Sequence, residues 1–158
     1  MNGKVIYLDI DGVLNSRRYD AERKTGQGNI DESRLCLLAG LVERTGAQIV
    51  LSSSWRKHWE PDQALCDETG RGLHAVFAKY GLRIGGKTPV KADNDRAAEI
   101  RAHLAAHPQI TRFVIIDDEP FGWGTLAERL VKTDARIGRG LEERHLLRAE
   151  ALLNGEEA

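Results

Sequence analysis

The chain has 158 residues, 41% hydrophobic and 30% charged, which is enough for one domain with a real core and too short for two large ones. Its formal net charge of −1 excludes the global basic field of an obligate nucleic-acid binder, although a local basic patch is still allowed. No apolar run approaches the roughly 18 residues of a membrane span, and the N-terminus lacks the basic-then-apolar pattern of a secretory leader, so a cytoplasmic protein without a membrane partner is expected.

Residues 4–10 read as a first strand, apolar up to the acids Asp9 and Asp11. Residues 16–30 are a polar insert, too short for a folded cap domain, that could form a flap over a site. A helix is predicted from residues 30–33 to about Thr45, with Leu35, Leu38, Leu41 and Val42 on one apolar face and Gly46 as its stop. Residues 47–51 are continuously apolar, as in a strand buried on both faces. An insertion over 57–93 follows, with a helical pattern from about Pro61 to Tyr80 broken at Gly70 and Gly72, then a loop from Gly81 to Asn94. A helix over 95–106, with Asn94 or Asp95 as N-cap, leads through Pro108 to a strand at 112–116. A short helix near 124–129, a strand at 130–133 and an amphipathic helix from Leu141 to Leu153 complete the pattern. Strand and helix in alternation predict an α/β fold, a single three-layer α/β/α domain over 1–158 with a mainly parallel, Rossmann-like sheet.

Cys36 and Cys66 lack metal-ligand spacing and read as buried or half-buried free thiols. His103 and His107 stand one helical turn apart, but Pro108 follows, so they read as a solvated helix end.

The chemistry is concentrated where strands end. An Asp after a strand is usually a turn former or a cap. Here two apolar strands each end in a pair of acids, Asp9 with Asp11 and Asp117 with Asp118. In an open parallel sheet the ligand crevice lies outside the carboxyl ends of the strands, where these four carboxylates would converge. Carboxylates packed together repel, so one must be protonated or a cation must sit between them, and all-oxygen ligation favours a hard ion such as Mg²⁺. This is the pattern of a metal-dependent phosphoryl-transfer site. The two-residue offset of Asp9 and Asp11 also puts both side chains on the same side of an extended segment.

Three segments carry a resemblance to a known superfamily. Asp9-Ile10-Asp11-Gly12-Val13 resembles motif I of the haloacid dehalogenase (HAD) superfamily, Ile49-Val50-Leu51-Ser52 its motif II, and Ile115-Ile116-Asp117-Asp118 its motif IV. More narrowly, residues 8–15, 51–56 and 96–100 resemble the small HAD domains associated with RNA-repair proteins. The resemblance implies a HAD-like fold with little or no cap and a Mg²⁺-dependent phosphatase. Asp9 would be the nucleophile that forms an aspartyl-phosphate, and Asp11 the acid and then the base. The metal would be held by the Asp9 carboxylate, the Asp11 backbone carbonyl and motif IV, with Asp118 the direct ligand and Asp117 supporting it. Ser52 would hydrogen-bond a phosphoryl oxygen, with Ser53 as its substitute in the run of three serines, and Gly12 would let backbone N–H groups approach the phosphate. The motif III cation would be Arg96, at a helix start, with Lys91 and Lys87 in the preceding loop as alternatives.

Substrate choice is less legible. Trp55 and Trp59 among Arg56, Lys57 and His58 form a segment that would stack a base and contact phosphate, or else close the core. Nucleotides or nucleic-acid phosphate ends are the favoured substrates. Small phosphorylated metabolites, phosphoproteins and a catalytically silent phosphate-binding module are the competing readings. Nothing points to an obligate protein partner.

Overall fold

Five parallel strands form one sheet in the order β3-β2-β1-β4-β5: β1 (Lys4–Leu8), β2 (Gln48–Leu51), β3 (Ile84–Lys87), β4 (Arg112–Asp117) and β5 (Leu130–Lys132). The chain steps outward from β1 to β3, then returns to lay β4 against the other side of β1. That reversal opens a crevice at the carboxyl ends of β1 and β4. The helices are α1 (Arg17–Arg23), α2 (Glu32–Thr45), α3 (Glu68–Lys79), α4 (Arg96–Ala106) and α5 (Glu143–Asn154). This computed structural model describes residues 2–23 and 29–156, so part of the expected flap lies outside the described residues, while α1 forms its first part.

Alternation along β1 sorts the core into two layers. Ile6 and Leu8 pack with buried residues of α2, α3 and α5, whereas Val5 and Tyr7 pack with Ala97 and Ile100 of α4. Because both faces are covered, the strands can be apolar throughout. α2 starts where the Asp31 side chain accepts a hydrogen bond from the Ser33 N–H, and stops at Gly46, whose φ of 71° only glycine adopts cheaply. Its Leu35, Leu38 and Leu41 are fully buried, each contributing about 1.5–3 kcal/mol through removal from water.

Two expectations about glycine are corrected. α3 runs through Gly70 and Gly72 instead of breaking there. At Gly70 a Cβ would lie 1.8 Å from the His58 carbonyl oxygen, so the glycine serves the approach of the helix to the turn that follows β2. The predicted loop at 81–94 also contains β3, the edge strand beside β2. Its register shifts between Ile49 and Val50, and glycine suits such an irregular edge. The 57–93 insertion thus contributes a strand to the core sheet. No helix among the described residues is long and apolar enough to cross a membrane.

The helix end at His103 is not solvated. His103 is buried, its Nδ1 lies 2.8 Å from the Tyr7 hydroxyl, and its ring stacks on that of His107 at 4.1 Å. Cys66 is buried as expected, while Cys36 is exposed. Burial raises the Tyr7 pKa, so the phenol keeps its proton beside the His103 ring. Burial, reinforced by His107, lowers His103 to about 4 from its ordinary 6.5. Between those values the unfolded chain binds the extra proton, so this contribution is complete above pH 6.5 and is lost as the pH falls towards 4. We expect urea stability to drop by about 1 kcal/mol over that window, less than full linkage because water reaches part of the pair. His103→Gln should shrink the drop; an undiminished drop would assign it to other groups.

Candidate active site at the strand ends

The first strand is shorter than expected, ending at Leu8, and Asp9 is fastened at the rim by its N–H, which donates to the Ile116 carbonyl at 3.0 Å. Since Leu8 pairs with Ile116, Asp9 and Asp117 emerge side by side. Carboxylate oxygens of Asp9, Asp117 and Asp118 all lie within 4.8 Å of one another. Asp9 and Asp117 are buried and Asp118 is not. Arg96, the first residue of α4, reaches both buried acids, with Nη1 3.2 Å from Asp9 Oδ2 and 2.7 Å from Asp117 Oδ2.

The electrostatics are those of a site short of positive charge. Burial pushes the Asp9 carboxyl well up from its ordinary range, Asp117 and Asp118 add to this, and Arg96 and the Ile10 N–H pull back without prevailing. Asp117 is also raised by burial, despite Arg96 and the Glu119 N–H. For Arg96 burial acts downward, but its two carboxylate partners outweigh it and hold the guanidinium charged. One guanidinium therefore faces two buried acids and a third at their edge. Hard oxygen donors in that imbalance fit a small divalent cation such as Mg²⁺.

Asp11 reaches the cleft by a turn and not along an extended strand. Gly12 turns the chain with φ 83°, and its added Cβ would sit 2.2 Å from Asp118 Oδ2, so both the angle and the close approach require glycine. Asn15 pins this turn, accepting from the Gly12 N–H at 2.8 Å and donating to Asp11 Oδ1 at 2.9 Å. The other Asp11 oxygen accepts from Trp55 Nε1 at 3.0 Å. A cleft of about 480 Å³ is lined by Asp9, Asp11, Ser54, Arg96 and Asp118, with Phe121 and Trp123 on its apolar side.

A sequence model for the HAD domain in Swiss Army Knife RNA repair proteins matches residues 5–146. The chain belongs to this family. Neither a curated protein nor a solved structure matches it.

Within this HAD domain, the other expected site residues divide. Ser52 follows β2 beside Asp9, its N–H on the Leu8 carbonyl at 2.8 Å, and its buried hydroxyl has no hydrogen-bond partner among the described residues. A buried hydroxyl left unpaired costs about 1–3 kcal/mol, which a bound phosphoryl oxygen would offset. Ser53 is a cap: its Oγ accepts from the Trp55 N–H at 3.2 Å and starts the 3₁₀ turn Ser54–His58. Arg56, expected at substrate, is corrected. It is buried, with Nη2 2.6 Å from Glu99 Oε2 and Nη1 donating to the Ser53 carbonyl at 2.8 Å, so it braces the motif II turn against α4.

Lys91 is likewise not where it was expected as an alternative cation. It is exposed, makes no ion pair among the described residues, and meets Glu99 only through its backbone N–H at 3.0 Å. Lys87 is committed to Glu60 Oε1 at 2.9 Å and to the carbonyls of Arg56 and Trp59. Of the three cations, Arg96 is the one brought to the acids. The tryptophans also separate: Trp59 is in the core, stacked on His74, whereas Trp55 sits at Asp11.

Sequence reasoning missed Asn15 and Thr133. Thr133, just after β5, donates its hydroxyl to the Gly12 carbonyl at 2.7 Å and its N–H to the Asp117 carbonyl at 3.1 Å, tying motif I to motif IV. No local signal marks a lone threonine for that role. Asn15 was readable in principle as a side chain able to cap the turn made by Gly12.

Proposed function

We propose that the domain is a Mg²⁺-dependent phosphomonoesterase working through an aspartyl-phosphate, with phosphate ends of nucleotides or nucleic acids as substrates. The observation that carries this reading is the pairing of a buried, Arg96-held Asp9 with an Asp11 on the lip of the same cleft. The family's association with RNA repair and the open cleft beside Trp55 support the substrate class.

An Asp9 carboxylate oxygen attacks phosphorus while the bond from phosphorus to the leaving oxygen breaks, and Asp11 acts as the general acid that gives that oxygen a proton. Water then attacks the phosphorus of the aspartyl-phosphate, Asp11 takes a proton from it, and inorganic phosphate leaves with Asp9 restored. Arg96 holds Asp9 in place and offsets charge on the transferring group, and Ser52 supplies a hydroxyl to one of its oxygens. Mg²⁺, held by Asp9, Asp118 and the Asp11 carbonyl with Asp117 in support, would supply further neutralisation of the phosphoryl oxygens when bound. Asn15 and Trp55 aim the Asp11 carboxyl across the cleft.

The reading is tested by phosphate release from 3′- and 5′-phosphorylated oligonucleotides, sugar phosphates and an aryl phosphate, each with Mg²⁺ and with a chelator. Chelator-sensitive release with oligonucleotide ends preferred is the expected result; no release from any of them would sink it. Asp11→Asn should slow esters with poor leaving groups by about 10²–10⁴-fold and good ones much less, since only the former need the proton. Uniform slowing across the series would remove Asp11 as the acid.

A further inference from the structure

Asp11 and Asp118 also line a second cleft, of about 580 Å³, whose walls do not include Arg96. Its walls carry Asn15, Arg17, Asp20, Trp55 and Arg136. The two arginines come from different parts of the chain and are brought together by the backbone, the Arg17 N–H donating to the Ala135 carbonyl at 3.1 Å. The turn bearing Arg136 is held by Asp134 Oδ1, which accepts from the N–H groups of Arg136 and Ile137 at 2.9 and 3.2 Å.

Their sequence neighbours behave differently. Arg18 and Arg139 both pair with Glu22, at 3.4 and 2.8 Å. Arg17 and Arg136 make no ion pair among the described residues, although they line one cleft with the acids Asp11, Asp20 and Asp118. Two arginines lining one cleft without a carboxylate partner supply donors that match the oxygens of a phosphate. The cleft shares Asp11, the group that protonates the leaving oxygen in the function proposed above. A leaving group whose oxygen meets Asp11 can therefore extend into it.

We propose that this cleft is a second anion subsite, in which Arg17 and Arg136 bind a further phosphate carried by the leaving group. The substrate class becomes one with two phosphates in register: the scissile monoester over Asp9, and a second across Asp11 beside the Trp55 ring. This inference rests on the phosphatase reading for its direction but not for the binding itself. The second phosphate is either a monoester, as in a nucleoside bisphosphate, or the diester of a strand.

The test compares kcat/KM for a nucleoside 3′,5′-bisphosphate, a 3′-phosphorylated dinucleotide and the two nucleoside monophosphates. Wild type should favour at least one two-phosphate substrate by about tenfold or more per arginine engaged. The Arg17→Gln/Arg136→Gln double variant should bring that ratio close to one. A preference for the bisphosphate alone assigns a monoester to the subsite, and one shared by the dinucleotide assigns a strand. A ratio near one in wild type, or a ratio the double variant leaves unchanged, overturns the subsite while leaving the phosphatase intact. Calorimetric titration of the Asp9→Asn protein with the bisphosphate gives a readout without turnover: arginine-dependent binding there, together with a wild type inactive on every ester, would keep the subsite and reject the phosphatase, and arginine-independent binding would reject the subsite.

Discussion

Asp9→Asn is expected to lower phosphate release by about 10³-fold or more, because the amide cannot take its place as attacking oxygen. The same change should make the metal-free protein more stable. Burial and the neighbouring acids raise the Asp9 carboxyl, so the folded state holds a proton that the unfolded state releases. Wild-type stability contributed by this group is therefore complete below the ordinary value of 3.8 and declines as pH rises towards the higher folded one. Asparagine carries no such penalty and keeps most of the shape. In chelator at pH 7 the variant should gain about 1–2 kcal/mol in urea, with a smaller gain at pH 5. Added Mg²⁺ should raise the melting temperature of wild type more than that of the variant, since the ion binds the native state alone. Undiminished release by Asp9→Asn would dismiss it as nucleophile, and loss of stability in chelator would dismiss the charge imbalance.

Arg96→Met is the second large effect, opposite in sign for stability. Its guanidinium is the cation at 3.2 and 2.7 Å from the two buried carboxylates, and removing one partner of a buried pair leaves the others uncompensated, at a cost of about 3–5 kcal/mol. Both acids rise further without it, so the loss should be largest at pH 7 and smaller in mild acid, where they protonate. Phosphate release should fall by about 10²-fold or more through loss of charge stabilisation. Arg96→Met/Asp117→Asn should recover much of the stability and none of the activity, which separates the two roles. Lys91→Met should cost far less on both readouts, because that side chain faces solvent. Equal damage from Lys91→Met would return the choice of cation to the loop.

The fold was legible because periodicity is a local property. Leu35, Leu38 and Leu41 mark a helix face by spacing alone, and the apolar runs of β1, β2 and β4 declare strands buried on both sides. The edge strand β3 was not, since Gly85 and Gly86 read as loop when nothing shows the strand they lie against. Arg56 was misjudged, and Trp59 left open between ligand and core, in the same way. Both resemble ligand-binding residues in a polar, aromatic stretch, and their burial depends on Glu99 and His74 further along the chain.

The four aspartates, Ser52 and Arg96 were recognisable as types at strand and helix ends before any coordinates. What linear order determined is the family and the placing of acids at the ends of apolar strands, because side-chain identity and the alternation of apolar segments are written along the chain. Tertiary structure alone decided that Arg96 and not Lys91 meets those acids, that Asn15 and Thr133 lock the loops, and that Arg17 lies beside Arg136. Those are contacts between segments remote in sequence, set by strand order and by the close packing of backbone on backbone, and no local pattern encodes them.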